Sequence, residues 1–216
     1  MTSPLHRLYS FRRCPYAMRA RLGILFAERQ VELREIVLKD KPSQMLAISP
    51  KGTVPVLQLI EGTVIEESID IMMWALGQHD PKGLLDNRIL TQANTLINHN
   101  DNEFKYWLDR YKYADRYIEK TQLEYRQQGE VFLQVLENRL ADNAYLLGEQ
   151  VTVADIAIMP FVRQFAHVDC DVFYQSPYPK LQLWLKHWLQ HPLFLQAMTK
   201  YPSWQEGDEL VRFPLP

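Results

Sequence analysis

The spacing of apolar residues changes near residue 80, and this change constrains the fold more than any other feature of the sequence. Up to His79, short runs typical of strands alternate with segments of helical period. Residues 80–87 concentrate turn-forming residues, and beyond them only helical periodicity continues. The sequence therefore predicts an α/β domain over residues 1–79, a linker over residues 80–87 and an all-helical domain over residues 88–216.

The first domain is predicted to have the element order β-α-β-α-β-β-α. Strands are expected at residues 5–11 and 31–38, and the helix between them begins at Pro15. Because a helix joins these strands, they should pair in parallel through a right-handed crossover. The stretch "VPVLQLIEGTVIEES" is typical of a hairpin with Glu61 and Gly62 at its turn. The prediction is a mixed, four-stranded sheet.

The second domain is predicted to consist of helices with apolar stripes. A long helical stretch begins near Arg88 and is interrupted near residues 98–102. The stretch "TVADIA" places Thr152 three residues before Asp155, which is an acidic variant of the capping box in front of a strongly apolar helix. The last helical stretch is predicted to supply one or two more helices, with a split at Pro192.

The composition argues against several functional classes. The chain of 216 residues carries a formal net charge of -2 and has no basic block, unlike a general nucleic-acid binder. Its two cysteines cannot form a disulfide framework, so we expect a reducing, cytoplasmic compartment. No run of about 18 apolar residues is present and the N-terminus lacks a signal-peptide pattern, so no membrane segment is expected.

Cys14 lies directly before Pro15 at the start of the first predicted helix. The first N–H groups of a helix lack intrahelical partners, and together with the helix dipole they favour an anion over a neutral thiol. Arg12 and Arg13 add positive potential. We therefore expect the pKa of the Cys14 thiol to lie below the ~8.5 that is typical of cysteine. The alternative is that Cys14 is a small buried apolar residue without a chemical role.

Ala17 stands at the fourth position of "CPYA", where a dithiol oxidoreductase carries its second cysteine. Cys14 therefore cannot close a local disulfide. A mixed disulfide on Cys14 must be resolved by an external thiol, which in a reducing cytoplasm is glutathione. Cys170 lies far along the sequence in the helical half and is expected to be structural or incidental.

Four stretches, in this order and spacing, resemble the cytosolic glutathione transferases: "RRCPYAMRARL", "SPKGTVPVL", "IEES" and "TVADIA". The resemblance covers nearly the full length of the chain. It implies a thioredoxin-like N-terminal domain and an all-helical C-terminal domain. The cysteine of "CPYA" makes the chain similar to the omega-like and other cysteine-type classes, and not to the tyrosine or serine types.

The resemblance implies a glutathione site at four residues. The Val54–Pro55 bond would be cis, which turns the Val54 backbone outward to pair with the cysteinyl unit of glutathione. Glu67 would pair with the ammonium group of the γ-glutamyl unit, and Ser68 would bind its carboxylate. Without the resemblance, Pro55 is typical of a trans proline at the start of a strand, and Glu67 and Ser68 are typical of any helix start.

Two further assignments rest on the resemblance alone. Lys41 would face the glycyl carboxylate of glutathione, with Lys39 as a rival, although a lysine in such a loop is otherwise solvated. A second substrate would bind against the first helix and the start of the helical domain. The candidate residues of that pocket are Tyr16, Phe104, Trp107, Leu108 and Tyr111. Aromatic residues at helical spacing are otherwise core residues.

The predicted function is that of a glutathione-dependent thiol transferase or reductase acting through a Cys14 thiolate. Glutathione is the expected co-substrate, a small disulfide or electrophile is the expected second substrate, and no cofactor is expected. No metal is expected either, because His187 and His191 have the spacing of metal ligands but no third ligand at a usable distance in sequence. The resemblance also implies a homodimer.

Two other functions stay open. Conjugation to an electrophile would require glutathione itself to be the nucleophile, and a cysteine at this position competes for bonding with it. A non-enzymatic role is also open, because the same fold occurs in stringent-starvation proteins that bind RNA polymerase. Loss of the thiol or of the γ-glutamyl contacts would favour that role, but Cys14, Glu67 and Ser68 are all present.

Overall fold

The computed structural model describes residues 4–215. The first part of the chain, together with a strand near residue 212, forms a sheet flanked by helices. The strands are β1 (Arg7–Ser10), β2 (Val31–Glu35), β3 (Val56–Gln58), β4 (Val64–Ile65) and β5 (Arg212–Phe213). The helices that alternate with the first strands are α1 (Pro15–Phe26), α2 (Ser43–Ile48) and α3 (Ser68–Gln78). Within residues 4–215 the five strands form one sheet in the order β4-β3-β1-β2-β5.

The pairing of the strands follows the predicted topology with one addition. β1 pairs in parallel with β2 across α1, and β3 and β4 form the predicted hairpin, with Gly62 in its turn at a φ of 97°. The predicted count of four strands is wrong, because β5 pairs antiparallel with the outer edge of β2. A two-residue strand is too short to show the alternation by which a strand is identified in sequence.

α1 and α3 pack at very short range. A Cβ atom built on Gly23 would lie 2.7 Å from the Cα atom of Met72 and 2.6 Å from its Cγ atom. The same helices meet at Arg19 and Ser68, where the guanidinium group donates to the hydroxyl oxygen at 3.4 Å. Both contacts have the same separation in sequence, so the two helices run parallel and their N-termini point toward the same end.

We expect Gly23→Ala to lower the free energy of unfolding by ~1–3 kcal/mol, because the added methyl group overlaps the Met72 backbone and the helices must separate. Gly77→Ala in α3 is the matched control, because no atom lies within 4 Å of a Cβ built there. Alanine at position 77 should stabilise the helix by ~0.5–1 kcal/mol. Urea unfolding of both variants checks the prediction, and a similar effect at the two positions would contradict it.

Seven further α-helices follow within the described residues. They are α4 (Asn87–His99), α5 (Lys105–Lys112), α6 (Gln122–Arg139), α7 (Val153–Ala166), α8 (Cys170–Tyr174), α9 (Pro179–Gln190) and α10 (Pro192–Ala197). As predicted, a break at Pro192 separates the last two helices, and Thr152 and Asp155 form a capping box at the start of α7.

The chain divides into two compact units. The helical unit comprises Gly83–Gln190, and the first unit comprises the residues up to Lys82 together with those from His191 onward. The predicted helical domain extended to the end of the chain, whereas the structure places α10 and β5 in the first unit. The reason is tertiary packing, since α10 packs on α1 and β5 pairs with β2. Local periodicity does not report such distant contacts.

The interruption predicted near residues 98–102 is a π-helical turn. It spans Asn100–Phe104 and connects α4 directly to α5. Phe104 packs against Phe132 and Phe165, with ring centroids 5.0 and 5.6 Å away. The π-helical turn therefore contributes Phe104 to the aromatic core of the helical unit, while Asn102 and Glu103 of the same turn are exposed.

The two histidines with the spacing of metal ligands have other contacts. The His187 ring packs edge-on against Tyr145 with centroids 6.1 Å apart, and His191 caps α10 by accepting the Leu193 N–H at 3.2 Å. Among residues 4–215, no group of three or more His, Cys, Asp or Glu residues is arranged to hold a metal ion. No helix of this part of the chain is long and apolar enough to cross a membrane.

Candidate active site

Cys14 is the N-cap residue of α1. Its backbone is extended, with φ of -78° and ψ of 126°, and Pro15 occupies the first helical position. The Met18 N–H donates to the Cys14 carbonyl at 2.9 Å, and the Cys14 N–H donates to the Phe11 carbonyl at 2.9 Å, which closes a turn over residues 11–14. The half-buried thiol therefore lies at the N-terminus of a 12-residue helix, where the helix dipole favours an anion.

The structure brings Cys14 next to Val54, which is 40 residues away in sequence. The thiol lies 3.7 Å from the Val54 carbonyl oxygen, within reach of a weak S–H···O hydrogen bond. The Val54–Pro55 peptide bond is cis, as predicted. Val54 belongs to a buried apolar cluster with Tyr9 and Val56, against which Cys14 packs. The thiol thus lies beside the backbone segment that was predicted to pair with a peptide-like ligand.

Ser68 is the first residue of α3 and is buried next to a cation. Arg19, whose side chain is fully buried, donates to the Ser68 hydroxyl oxygen. Because α1 and α3 run parallel, Cys14 and Ser68 both lie at helix N-termini that point the same way. Sequence reasoning missed Arg19, since an arginine is normally solvated. The available signal was its position within an otherwise apolar helix.

The charged residues predicted to bind the two ends of glutathione differ in exposure and in their partners. Glu67 is the exposed N-cap residue of α3, and its carboxylate pairs with Lys51. Lys41 is half-buried and Lys39 is exposed. Lys51 was not predicted to belong to the site. Its ion pair with Glu67 places a cation next to the residue that was predicted to bind the ammonium group of glutathione. The roles of Lys41 and Glu67 in binding stay predictions.

The five residues predicted to line a second-substrate pocket differ in exposure. Phe104, Leu108 and Tyr111 are at most 4% exposed and belong to the apolar core of the helical unit. Tyr16 and Trp107 are half-buried, so both keep surface that a ligand can contact. The exposure of Tyr16 and Trp107 is therefore compatible with contact to a ligand. The other three residues pack in the core, and helical spacing alone does not distinguish core residues from residues that line a pocket.

Two family models match the chain. The model described as glutathione S-transferase, N-terminal domain, matches residues 8–83, and the model described as glutathione S-transferase, C-terminal domain, matches residues 99–192. The two matches follow the order of the α/β and helical parts of the chain.

Curated relatives share low identity with the chain. Pyrimidodiazepine synthase of Drosophila melanogaster is 29% identical over 218 residues, which cover 95% of this chain and 84% of that protein. Glutathione S-transferase omega-1 of Sus scrofa is 25% identical over 191 residues, covering 87% and 78%. The match to omega-1 of Rattus norvegicus reaches 38% identity but spans 63 residues, which are 29% of this chain and only 26% of that protein.

Solved structures share the fold over most of the chain. A glutathione transferase family member from Pseudomonas fluorescens, with two glutathione molecules bound, has a TM-score of 0.79 at 15% identity and covers 90% of this chain and 92% of its own. The glutathione transferase URE2P6 of Phanerochaete chrysosporium, in complex with oxidized glutathione, has a TM-score of 0.78 at 16% identity, covering 90% and 95%. Together with the two family models, the thioredoxin-like sheet and the helical unit show that the chain belongs to the glutathione S-transferase superfamily.

Proposed function

We propose that this chain is a glutathione-dependent thiol transferase or reductase that acts through Cys14. The observation that supports the proposal best is the thiol at the N-cap of α1, 3.7 Å from the carbonyl oxygen of Val54. This position combines a helix N-terminus, which favours a thiolate, with a backbone segment next to a cis proline that can pair with an extended peptide. The proposed compartment is the cytoplasm, and the proposed assembly is a homodimer.

Glutathione would bind along the end of the first unit where α1 and α3 begin. Its cysteinyl unit would pair with the Val54 backbone as a short strand does. The γ-glutamyl carboxylate would meet the Ser68 hydroxyl at the N-terminus of α3, with the buried cation of Arg19 behind it. The γ-glutamyl ammonium group would pair with Glu67, and Lys41 would face the glycyl carboxylate.

The reaction is a pair of thiol–disulfide exchanges. The Cys14 thiolate attacks the glutathione sulfur of a mixed disulfide, forms the Cys14–glutathione disulfide and releases the other sulfur as a thiolate, which takes up a proton. The thiolate of a second glutathione then attacks the glutathione sulfur of this disulfide, which releases oxidised glutathione and regenerates the Cys14 thiolate. The mixed disulfide is reduced to a thiol, and two glutathione units leave joined by a disulfide bond.

Position 17 carries an alanine and no second thiol, which predicts a single, stable glutathionyl adduct on Cys14. We expect oxidised glutathione to leave one glutathionyl group on Cys14, and dithiothreitol to remove it, because no neighbouring thiol can displace it. Intact mass measures the number of adducts, and peptide mapping locates them.

Cys170 supplies the control for this experiment, since it is exposed at the start of the five-residue helix α8. A Cys170→Ser variant should form the same single adduct at the same rate. Modification of Cys170 in preference to Cys14 would contradict the proposed site.

A further inference from the structure

A buried ion pair lies directly behind the turn that carries Cys14. Glu35, the last residue of β2, pairs through Oε2 with the guanidinium group of Arg21 on α1. The Arg21 side chain is fully buried, and that of Glu35 is 10% exposed. The other carboxylate oxygen, Oε1, accepts the backbone N–H of Arg12 at 2.7 Å. One carboxylate therefore joins the first helix to the turn over residues 11–14.

Arg21 makes further hydrogen bonds that hold it in place. Its Nε atom donates to the Ser10 hydroxyl oxygen at 2.9 Å, and Nη1 donates to the Ala197 carbonyl at 3.1 Å. The guanidinium group of Arg12 contacts the Met198 carbonyl at 3.5 Å. Both carbonyls lie at the end of α10, where the last C=O groups of a helix attract cations. Burial lowers the pKa of Arg21, and the Glu35 carboxylate opposes this shift.

These contacts form a closed ring of which Cys14 is a member. The helix that begins after Cys14 carries Arg21, Arg21 holds Glu35, and Glu35 holds the turn that precedes Cys14. A hydrogen bond to a buried carboxylate is stronger than one between neutral groups, so displacement of the turn is costly. The ring therefore leaves the backbone of Cys14 little freedom to move relative to α1.

We propose that Glu35 is a positioning residue for Cys14. Held by Arg21, its carboxylate fixes the Arg12 N–H and with it the turn, so that the thiol stays at the start of α1 beside the Val54 carbonyl. This role rests on the proposed function for what the thiol does, but the placement of the thiol can be measured without glutathione.

Position 12 offers a test that removes the hydrogen bond and leaves both members of the ion pair intact. Arg12 is the second residue of the turn, a position at which proline is favoured, and proline has no N–H to donate to Glu35. Arg12→Ala is the matched control, because it loses the same side chain and keeps the N–H. The difference between the two variants therefore reports the hydrogen bond to the carboxylate.

The main measurement is the rate of Cys14 alkylation by iodoacetamide against pH, in a Cys170→Ser background. Each profile is normalised to its plateau at high pH, so that a change in accessibility cancels. We expect the profile of Arg12→Pro to lie about one pH unit above that of Arg12→Ala, because a loosened thiol loses contact with the helix N-terminus. At pH values below both pKa values, this corresponds to roughly tenfold lower reactivity. Superimposable profiles overturn the proposal.

A second pair of variants removes the ion pair at constant net charge, in case Arg12→Pro does not fold. Arg21→Met combined with Glu35→Leu introduces apolar side chains of similar size, a replacement that buried ion pairs often tolerate. The control, Arg34→Met with Glu32→Leu, removes the ion pair of Arg34 and Glu32 on the same strand, with a nitrogen–oxygen distance of 2.6 Å. It also removes the carboxylate that pairs with Arg7, which keeps its hydrogen bond to Gln58. We expect an upward shift of the alkylation profile in the first double variant only. Equal shifts in both, or no shift in the first, overturn the proposal.

Thiol-transfer kinetics separate positioning from binding. Arg12→Pro should lower kcat relative to Arg12→Ala and leave KM for glutathione similar, because the proposed glutathione contacts lie on other elements. If the unchanged protein transfers no thiol while the alkylation profiles separate, the proposed function fails and the positioning role stands. If the protein is active and the profiles coincide, the positioning role fails and the proposed function stands.

Discussion

Cys14→Ser is expected to reduce thiol transfer by at least about three orders of magnitude, the scale of loss when an enzyme's nucleophile is removed, while glutathione binding persists. Serine preserves the size of the side chain and the start of α1, but its hydroxyl group does not ionise near neutral pH and its oxygen cannot form a disulfide. Binding should persist because the proposed contacts come from Val54, Glu67 and Ser68. Reduction of a glutathionyl mixed disulfide measures turnover, and retention on immobilised glutathione measures binding in the same preparation.

Three outcomes of the Cys14→Ser experiment have different consequences. Full turnover by the serine variant would exclude the thiolate mechanism. A serine variant that gains conjugation of glutathione to an electrophile would assign the chain to the conjugating alternative. Failure of both Cys14→Ser and the unchanged protein to bind glutathione would favour the non-enzymatic alternative. Cys170→Ser is the control and should keep the turnover of the unchanged protein.

The largest expected loss of stability concerns Asp155, whose carboxylate is fully buried and accepts four hydrogen bonds. Oδ2 accepts the N–H and the hydroxyl group of Thr152 at 2.9 and 2.8 Å. Oδ1 accepts the Leu146 N–H at 2.9 Å and the Trp184 indole N–H at 3.0 Å. The side chain thus connects the preceding loop, the start of α7 and helix α9.

Asp155→Asn is expected to lower the free energy of unfolding by roughly 2–6 kcal/mol. The variant places an NH₂ group where an oxygen accepted two donors, and each buried donor left without a partner costs ~1–3 kcal/mol. Thermal and urea unfolding measure the loss, and the activity of the fraction that stays folded should not change, because Asp155 has no proposed contact with glutathione.

The capping box of α6 supplies a matched control for Asp155→Asn. Glu124 accepts the N–H and the hydroxyl group of Thr121 at 2.7 and 2.8 Å, but this box is exposed. A glutamine at position 124 keeps one oxygen for both donors, so Glu124→Gln should cost less than ~1 kcal/mol. If Asp155→Asn costs no more than Glu124→Gln, burial is not the source of the effect.

Sequence reasoning succeeded where the determinants are local. The thiol before Pro15, the capping box of Thr152 and Asp155, and the hairpin at Gly62 each depend on residues within a few positions of one another. Strand and helix periodicity also predicted the parallel pairing of β1 with β2. In the first three cases the geometry follows from backbone conformation and from hydrogen bonds within one or two turns of chain. The parallel pairing follows instead from the helix that joins the two strands.

Sequence reasoning failed where the determinants are tertiary. Arginine side chains are normally solvated, so the sequence alone does not indicate that Arg19 and Arg21 are buried. They are paired in the interior because Ser68 and Glu35 approach them from other elements. Likewise, the position of Phe104 in the sequence does not tell whether its ring faces a ligand or the core. Residues that line a pocket and residues that pack in a core recur with the same helical spacing. Side-chain direction in a packed helical unit depends on neighbours that are distant in sequence.

The return of residues 191–216 to the first unit makes the helical unit an insertion within it. During synthesis from the N-terminus, the sheet edge at β2 emerges long before β5, which later pairs with it. The carbonyl groups of Ala197 and Met198 that receive Arg21 and Arg12 also arrive only after the whole helical unit. The surroundings of Cys14 are therefore completed only by residues that follow the helical unit. A ribosome-bound fragment that lacks these residues holds the thiol with an open sheet edge and an incompletely paired buried cation.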